Sequence, residues 1–111
     1  MGDIEWIMNE YRTRVAEYSK ARAKRTYVEE FKKSKFAMLM REAERQGFKT
    51  AAAQEREAYA CDEYVQLLDA LRETVETEEK LRYEMKALEM QAEVWRTVRA
   101  DERFEKKAYG A

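Results

Sequence analysis

A basic segment with interleaved tyrosines, in the first third of the chain, holds the residues best suited to bind a partner. Between Arg12 and Lys35 the sequence has nine basic residues and three acidic ones. Cations can follow a phosphate backbone and exposed rings can stack on bases, which are the two requirements for binding single-stranded nucleic acid. The candidate binding residues are Arg22, Lys24, Arg25, Lys32, Lys33, Lys35, Tyr18 and Tyr27.

The same residues also suit a structural role. From Glu55 to Glu79 nine acidic residues accompany two basic ones. The cations of the first segment can therefore pair with this acidic middle, within one chain or between copies. The tyrosines would then belong to the core. A smaller cluster near Trp95 and Arg99 allows the same two interpretations, and the sequence leaves both open.

The residue types on which most enzymes depend are missing or isolated. Histidine is absent, which removes the commonest general base and the commonest neutral metal ligand. Cys61, the only cysteine, stands beside acidic neighbours that disfavour a thiolate. The carboxylates of Glu76, Glu78 and Glu79 are expected to form a solvated helix face. We therefore expect a protein that is not an enzyme, without a catalytic residue, a metal or a cofactor.

The sequence also bears on the compartment. A single cysteine cannot form a disulfide within the chain, which favours a reducing environment. No apolar stretch approaches the ~20 residues of a membrane span. The first residues lack the basic start and apolar centre of a signal peptide. We expect a cytoplasmic protein without membrane association.

The composition predicts an all-α fold. The chain has no proline and three glycines among 111 residues, so helix-breaking residues are scarce. We predict one helix over about 3–46 with Asp3 as its N-cap, a turn at 47–50, and a second helix over about 51–107. A kink near 61–62 is favoured over one continuous second helix. The short turn predicts a single domain, 1–111, built as a long antiparallel helical hairpin.

A heptad pattern in the second helix predicts coiled-coil packing. Apolar residues recur at alternating steps of three and four, interrupted by Thr74 and Glu78. A lone hairpin of this size does not shield its aromatic and methionine side chains easily, so we expect a homo-oligomer. The seam residues assigned to the oligomer are Leu67, Leu71, Leu81, Met85, Leu88 and Trp95. In the first helix the apolar positions shift register along the helix. They include Ile4, Met8, Tyr11, Val15, Tyr18, Ala21, Val28, Phe31 and Met38.

Three blocks of sequence resemble a known group of proteins. They are EYSKARAKRTYVEEFKKSKFAMLM, KTAAAQEREAYACDEY and EEKLRYEMKALEMQAEVWRT, and they resemble small helical proteins of tailed bacteriophages that are associated with recombination and replication genes. The resemblance covers roughly residues 11–103, with AAAQEREAYA and EVWRT as its most recognisable parts. The layout is more remotely similar to the UvsY-type recombination mediators, which are oligomeric helical proteins that bind single-stranded DNA and help to load a recombinase.

Two functions follow as expectations. The leading one is a bacteriophage accessory protein of DNA recombination or replication that binds single-stranded DNA and itself, and that works beside a recombinase or another phage or host protein in the host cytoplasm. The alternative is a helical adaptor or inhibitor that binds a protein through its acidic and heptad surfaces and does not contact nucleic acid.

Overall fold

The computed structural model describes residues 3–110, and it confirms the all-α class for that part of the chain. Three α-helices follow one another: α1 (Ile4–Arg45), α2 (Ala51–Ala60) and α3 (Asp62–Ala108). No residue from 3 to 110 lies in a β-strand. Asp3 caps α1, since its Oδ1 accepts a hydrogen bond from the backbone N–H of Glu5 at 3.2 Å. Glu5 also places negative charge at the positive end of the helix dipole.

The turn after α1 is built around Gly47. The backbone N–H of Gly47 donates to the carbonyl of Glu44, and the N–H of Phe48 donates to the carbonyl of Ala43, each at 3.1 Å. These two hydrogen bonds form a Schellman motif, which satisfies the last carbonyls of the helix. The motif requires a left-handed residue, and Gly47 has a φ of +108°. Glycine adopts that conformation without the steric cost that a Cβ would add.

Thr50 and Cys61 delimit the short helix α2. Thr50 Oγ1 accepts a hydrogen bond from the N–H of Ala53 at 3.1 Å, as an N-cap does. At Cys61 the backbone turns extended, with φ −69° and ψ 135°. The helix restarts with Asp62, while the carbonyl of Cys61 accepts from the N–H of Tyr64 at 3.0 Å. The chain therefore leaves helical geometry for one residue at this point.

The contacts divide the chain into two units. The hairpin unit is Lys20–Glu78, and the terminal unit consists of residues 3–19 and 79–110. In the hairpin unit, Arg25 pairs with Glu78 and Lys35 pairs with Glu63. Residues that come later in α1 thus contact residues that come earlier in α3, so the two helices are antiparallel there.

The hairpin unit is most tightly packed beside its turn. Ala43 and Ala58 are 2% and 1% exposed. Three aromatic rings meet nearby: the centroid of Phe36 lies 4.6 Å from that of Tyr59 and 5.6 Å from that of Tyr64. Tilted rings at these separations are favourable contacts beyond their buried area. Small residues let α1 and α2 approach closely, and the rings fill the space where α3 begins.

The predicted heptad seam of α3 is covered within one chain. In the terminal unit Leu81 and Leu88 are buried, and Met85 and Trp95 are half-buried. In the hairpin unit the seam residues are half-buried or buried, namely Leu67, Leu71, Thr74 and Glu78. Leu81 and Leu88 are thus buried without a second chain. Their assignment to an oligomer stays a prediction.

The packing face of α1 agrees with the expected one only in part. Met8, Val15, Phe31 and Met38 are 37–49% exposed, so their assignment to that face was wrong. The buried or half-buried positions follow alternating steps of three and four, and they include Tyr11, Tyr18, Ala21 and Val28 as expected. They are Ile7, Tyr11, Arg14, Tyr18, Ala21, Arg25, Val28, Lys32, Lys35 and Leu39. Four of these ten carry a cation, so ion pairs replace part of the expected apolar contact.

Candidate nucleic-acid interface

The predicted binding residues all lie on α1, but they do not share one face. A helix turns by about 100° per residue, so near neighbours in sequence point in different directions. Arg25, Lys32 and Lys35 are half-buried on the packing face, while Arg22, Lys24 and Lys33 are exposed. Tyr18 is half-buried in the terminal unit, and Tyr27 is exposed in the hairpin unit. The eight residues therefore separate into a structural group and an accessible group.

Arg25 is held by two carboxylates. Its Nη1 donates to Oε2 of Glu78 at 2.9 Å, and its Nε donates to Oε1 of Glu29 at 2.9 Å. Glu78 is 6% exposed, so its expected place on a solvated face was wrong. The hydrogen bond to Glu78, followed by that to Glu29, raises the pKa of Arg25 above its ordinary value. Arg25 stays charged, and two of its five N–H donors are taken by protein carboxylates.

Two lysines of the same segment, Lys35 and Lys33, differ in their surroundings. Lys35 forms an ion pair with Glu63 across the hairpin unit and is half-buried. Lys33 lies 3.4 Å from a carboxylate oxygen of Glu30, with both side chains well exposed. Such an exposed pair is worth little and is easily exchanged for another anion. Lys35 is thus structural, whereas Lys33 remains available to a ligand.

The accessible group is centred on an outer strip, which we define as Lys20, Lys24, Tyr27 and Phe31. Steps of four, three and four residues place these side chains on one face of α1. Tyr27 is 68% exposed, and its ring is nearly parallel to that of Phe31, at 7° and 6.1 Å between centroids. Lys20 and Lys24 are exposed and make no ion pair within residues 3–110. The strip combines two available cations with two exposed aromatic faces.

One acidic side chain lies close to the outer strip. Glu73 and Thr77 of α3 line a shallow depression of about 190 Å³ together with Lys24. Within the described chain no ion pair joins Glu73 to Lys24. The carboxylate nevertheless lowers the local positive potential at that end of the strip. Lys20 lies one helical turn before Lys24 in α1.

Lys20 and Phe31 were not selected from the sequence. Lys20 was counted among the basic residues but lies before the densest run of cations, and Phe31 was assigned to the apolar face of α1. A search for cations and rings at steps of three and four would have found both residues. The structure adds the exposure of Phe31, 37%, which apolar periodicity alone does not show.

The cluster near Trp95 is largely satisfied by its own neighbours. The guanidinium carbon of Arg99 lies 5.3 Å from the centre of the Trp95 ring, in cation–π geometry. Nη1 of Arg99 also donates to Glu102 at 2.9 Å, and Nη2 of Arg96 donates to Glu93 at 3.0 Å. Trp95 is half-buried, so its ring is less accessible than that of Tyr27.

Three further observations concern other kinds of site. Between residues 3 and 110 no three His, Cys, Asp or Glu side chains come together as metal ligands would. Cys61 is a half-buried free thiol. None of α1, α2 and α3 combines the length and the apolar composition that crossing a membrane requires.

Comparison with known proteins does not extend this description. The sequence matches no protein-family profile, and no curated protein or solved structure matches the chain.

Proposed function

We propose that the protein binds single-stranded DNA through the outer strip of α1. The observation that carries the proposal is the exposure of Tyr27, which lies parallel to Phe31 and one turn from Lys24. A ring that is 68% exposed is not a core residue, and its face is open to a base. Stacking of a base on an aromatic side chain is worth about 1–3 kcal/mol, and it tolerates any sequence because every base has a flat face.

The strip is short, which bears on how the protein would bind. From Lys20 to Phe31 it spans roughly 16 Å at 1.5 Å per residue. One chain would therefore contact only a few phosphates, and its affinity would be modest. Several strips in one assembly would bind one strand with a much higher effective affinity. A homo-oligomer formed by coiled-coil association of the helices is thus part of the same proposal.

The setting that we propose follows from the resemblance to bacteriophage proteins. The chain would act in the host cytoplasm as an accessory protein of DNA recombination or replication. Its partners would be single-stranded DNA, further copies of itself, and a recombinase or another phage or host protein. The cations and rings of the outer strip suit a role in holding a strand, which needs contacts to phosphate and base faces and no catalytic group.

One observation favours the alternative, an adaptor or inhibitor without nucleic-acid binding. Arg25 and Lys35 pair with Glu78 and Glu63 inside the hairpin unit. Two of the six predicted phosphate contacts are thereby used within the chain. If Lys20 and Lys24 did not bind phosphate either, the surface of α1 would suit an acidic protein equally well.

A binding titration separates the two functions. A labelled single-stranded oligonucleotide should be retained at low salt and released steeply as salt rises, by about 0.7 in the logarithmic slope for each phosphate contact. An adaptor would retain none even at low salt. The mass of the protein in solution, measured with and without the oligonucleotide, tests the assembly in the same samples.

A further inference from the structure

The terminal unit has an open apolar groove that packing within the chain leaves empty. Its volume is about 890 Å³, and its apolar lining includes Trp6 of α1 and Ala87, Met90, Val94 and Val98 of α3. Met90 and Val94 are 69% and 63% exposed, and Trp6 is 43% exposed. An exposed apolar surface of this kind, rimmed by charged residues, usually marks a contact with another molecule.

One wall of the groove, formed by Ala87, Met90 and Val94, belongs to a longer exposed stripe of α3, whereas beyond Val94 the groove itself follows Val98, Arg99 and Glu102. Every residue from 96 to 108 is exposed, and Phe104 is 73% exposed. Side chains at alternating steps of three and four share one face of a helix. Along this face lie Ala87, Met90, Val94, Thr97, Asp101, Phe104 and Ala108. The stripe is distinct from the seam of Leu81 and Leu88, which is buried in the same chain.

We infer that a second copy of the chain covers this stripe, with the two α3 helices antiparallel and related by a twofold axis. In the register that we propose, Phe104 of the second copy lies opposite Val94, at the edge of the groove. Met90 lies opposite Ala108 of the second copy, and Thr97 lies opposite Asp101 as a hydrogen-bonding partner. Because the contact is isologous, each of these pairs occurs twice.

Charge complementarity selects this register. In an antiparallel helix pair, the residues that flank the apolar stripe face each other across the contact. Glu93 then lies opposite Lys107 of the second copy, and Lys107 lies opposite its Glu93. Ala100 meets Ala100 and Val98 meets Val98 near the axis, where small and apolar side chains allow close approach.

The neighbouring registers are unfavourable. A shift of one heptad toward a longer overlap places Lys86 opposite Lys107 and Glu84 opposite Glu105 of the second copy. The opposite shift loses the Glu93–Lys107 pairs and leaves Met90 uncovered. A shift of two heptads places Glu93 opposite Glu93. Like charges that face each other are repulsive, so the longer one-heptad overlap is unfavourable, and the two-heptad shift sets repulsion between the two Glu93 side chains against attraction between Glu79 and Lys107. The proposed register leaves no like-charged pair among the flanking residues.

The contact is long enough to be specific. The two helices overlap from Met90 to Ala108, which is about 28 Å at 1.5 Å per residue. The dimer supplies a surface for the proposed self-association, and it is formed only by residues of the terminal unit. It holds whether or not the outer strip of the hairpin unit binds DNA.

Sedimentation equilibrium of the full chain without oligonucleotide tests the inference. The expected mass is about twice 13.3 kDa at micromolar concentration. Phe104→Ser should shift the protein toward the monomer, because it removes the apolar contact between Phe104 and Val94 on both sides of the axis. Met8→Ser is the matched control, since it also removes an exposed apolar side chain of the terminal unit, 44% exposed, but outside the stripe. It should leave the mass unchanged.

Charge reversal provides the sharper test. Glu93→Lys or Lys107→Glu alone puts like charges together twice and should raise the dissociation constant about tenfold. The double variant Glu93→Lys/Lys107→Glu should restore dimerisation. Arg96→Glu is the control, because it disrupts the intrachain pair of Glu93 and Arg96 without facing the second copy. A monomeric unmodified chain, a dimer indifferent to Phe104→Ser, or a double variant as weak as the single ones would overturn the inference.

Discussion

Arg25 and Glu78 join α1 to α3 in the hairpin unit through a hydrogen bond of 2.9 Å from Nη1 to Oε2. Glu78 is 6% exposed and lies at a heptad position where an apolar residue would ordinarily pack. A buried carboxylate is tolerated only while a partner compensates its charge. The pair thus specifies which part of α1 meets which part of α3, more than it adds stability.

Arg25→Ala should destabilise the hairpin unit, because it leaves the buried carboxylate of Glu78 without its cation. We expect the melting temperature to fall by several degrees, measured by circular dichroism. Arg72→Ala is the control: its pairs with Asp69 and Glu76 are exposed, so it should change the melting temperature little. The double variant Arg25→Met/Glu78→Leu should recover most of the loss. If Arg25→Ala melts like the unmodified protein, the pair does not hold the helices.

The pH dependence of the same pair follows from the direction of its pKa shift. The pKa of Arg25 is raised by Glu78 first and Glu29 second. A cation with a raised pKa contributes stability that is fully present below its unfolded pKa and is lost as pH rises through the folded value. For an arginine that loss lies far above neutral pH. Arg25 should therefore add no pH dependence to unfolding near neutrality, which unfolding curves at several pH values can check.

Reversal of the two outer-strip lysines should weaken binding of single-stranded DNA. Lys20→Glu/Lys24→Glu removes two proposed phosphate contacts, so the logarithmic salt slope should fall by roughly 1.4, at about 0.7 per contact. Arg56→Glu/Lys80→Glu is the matched control, with the same change in net charge at exposed positions of α2 and α3. Equal loss in both double variants would mean that only net charge matters and that the strip is not a site.

Tyr27 and Tyr64 should respond oppositely to truncation. Tyr27 is 68% exposed, so Tyr27→Ala should preserve the melting temperature but weaken oligonucleotide binding by about 1–3 kcal/mol if its ring stacks on a base. Tyr64 is 8% exposed and its ring contacts Phe36 and Tyr59. Tyr64→Ala should cost about 3 kcal/mol of unfolding free energy. Undiminished binding by Tyr27→Ala would count against the stacking proposal.

The helices and their ends could be predicted from the sequence, because interactions between residues close in sequence determine them. Asp3 and Thr50 cap helices as their side chains predict, and Gly47 adopts the left-handed conformation that ends α1. These features depend on residues within a few positions of each other. They need no knowledge of what packs against the helix.

The packing face of α1 could be predicted from the sequence only in part. Apolar periodicity assigned Met8 and Phe31 to it, but Arg25 and Lys35 lie there and meet carboxylates of α3. A cation at a packing position carries no apolar signal, and its partner is distant in sequence. For the same reason the accessible cations could not be separated from the structural ones before the contacts were known.

Leu88 and Val94 should distinguish folding from self-association, since they lie six residues apart on different faces of α3. Leu88 is 7% exposed, so Leu88→Glu buries a carboxylate without a partner and should cost about 3 kcal/mol or more of unfolding free energy. Val94 is 63% exposed in the groove. Val94→Glu should leave the helix content and the melting temperature at high dilution unchanged, because the charge stays in water in the monomer. It should nevertheless abolish the dimer in sedimentation, because the carboxylate would face Phe104 of the second copy. A Val94→Glu protein that still dimerises would place the contact elsewhere, and a Leu88→Glu protein that stays folded would remove Leu88 from the core.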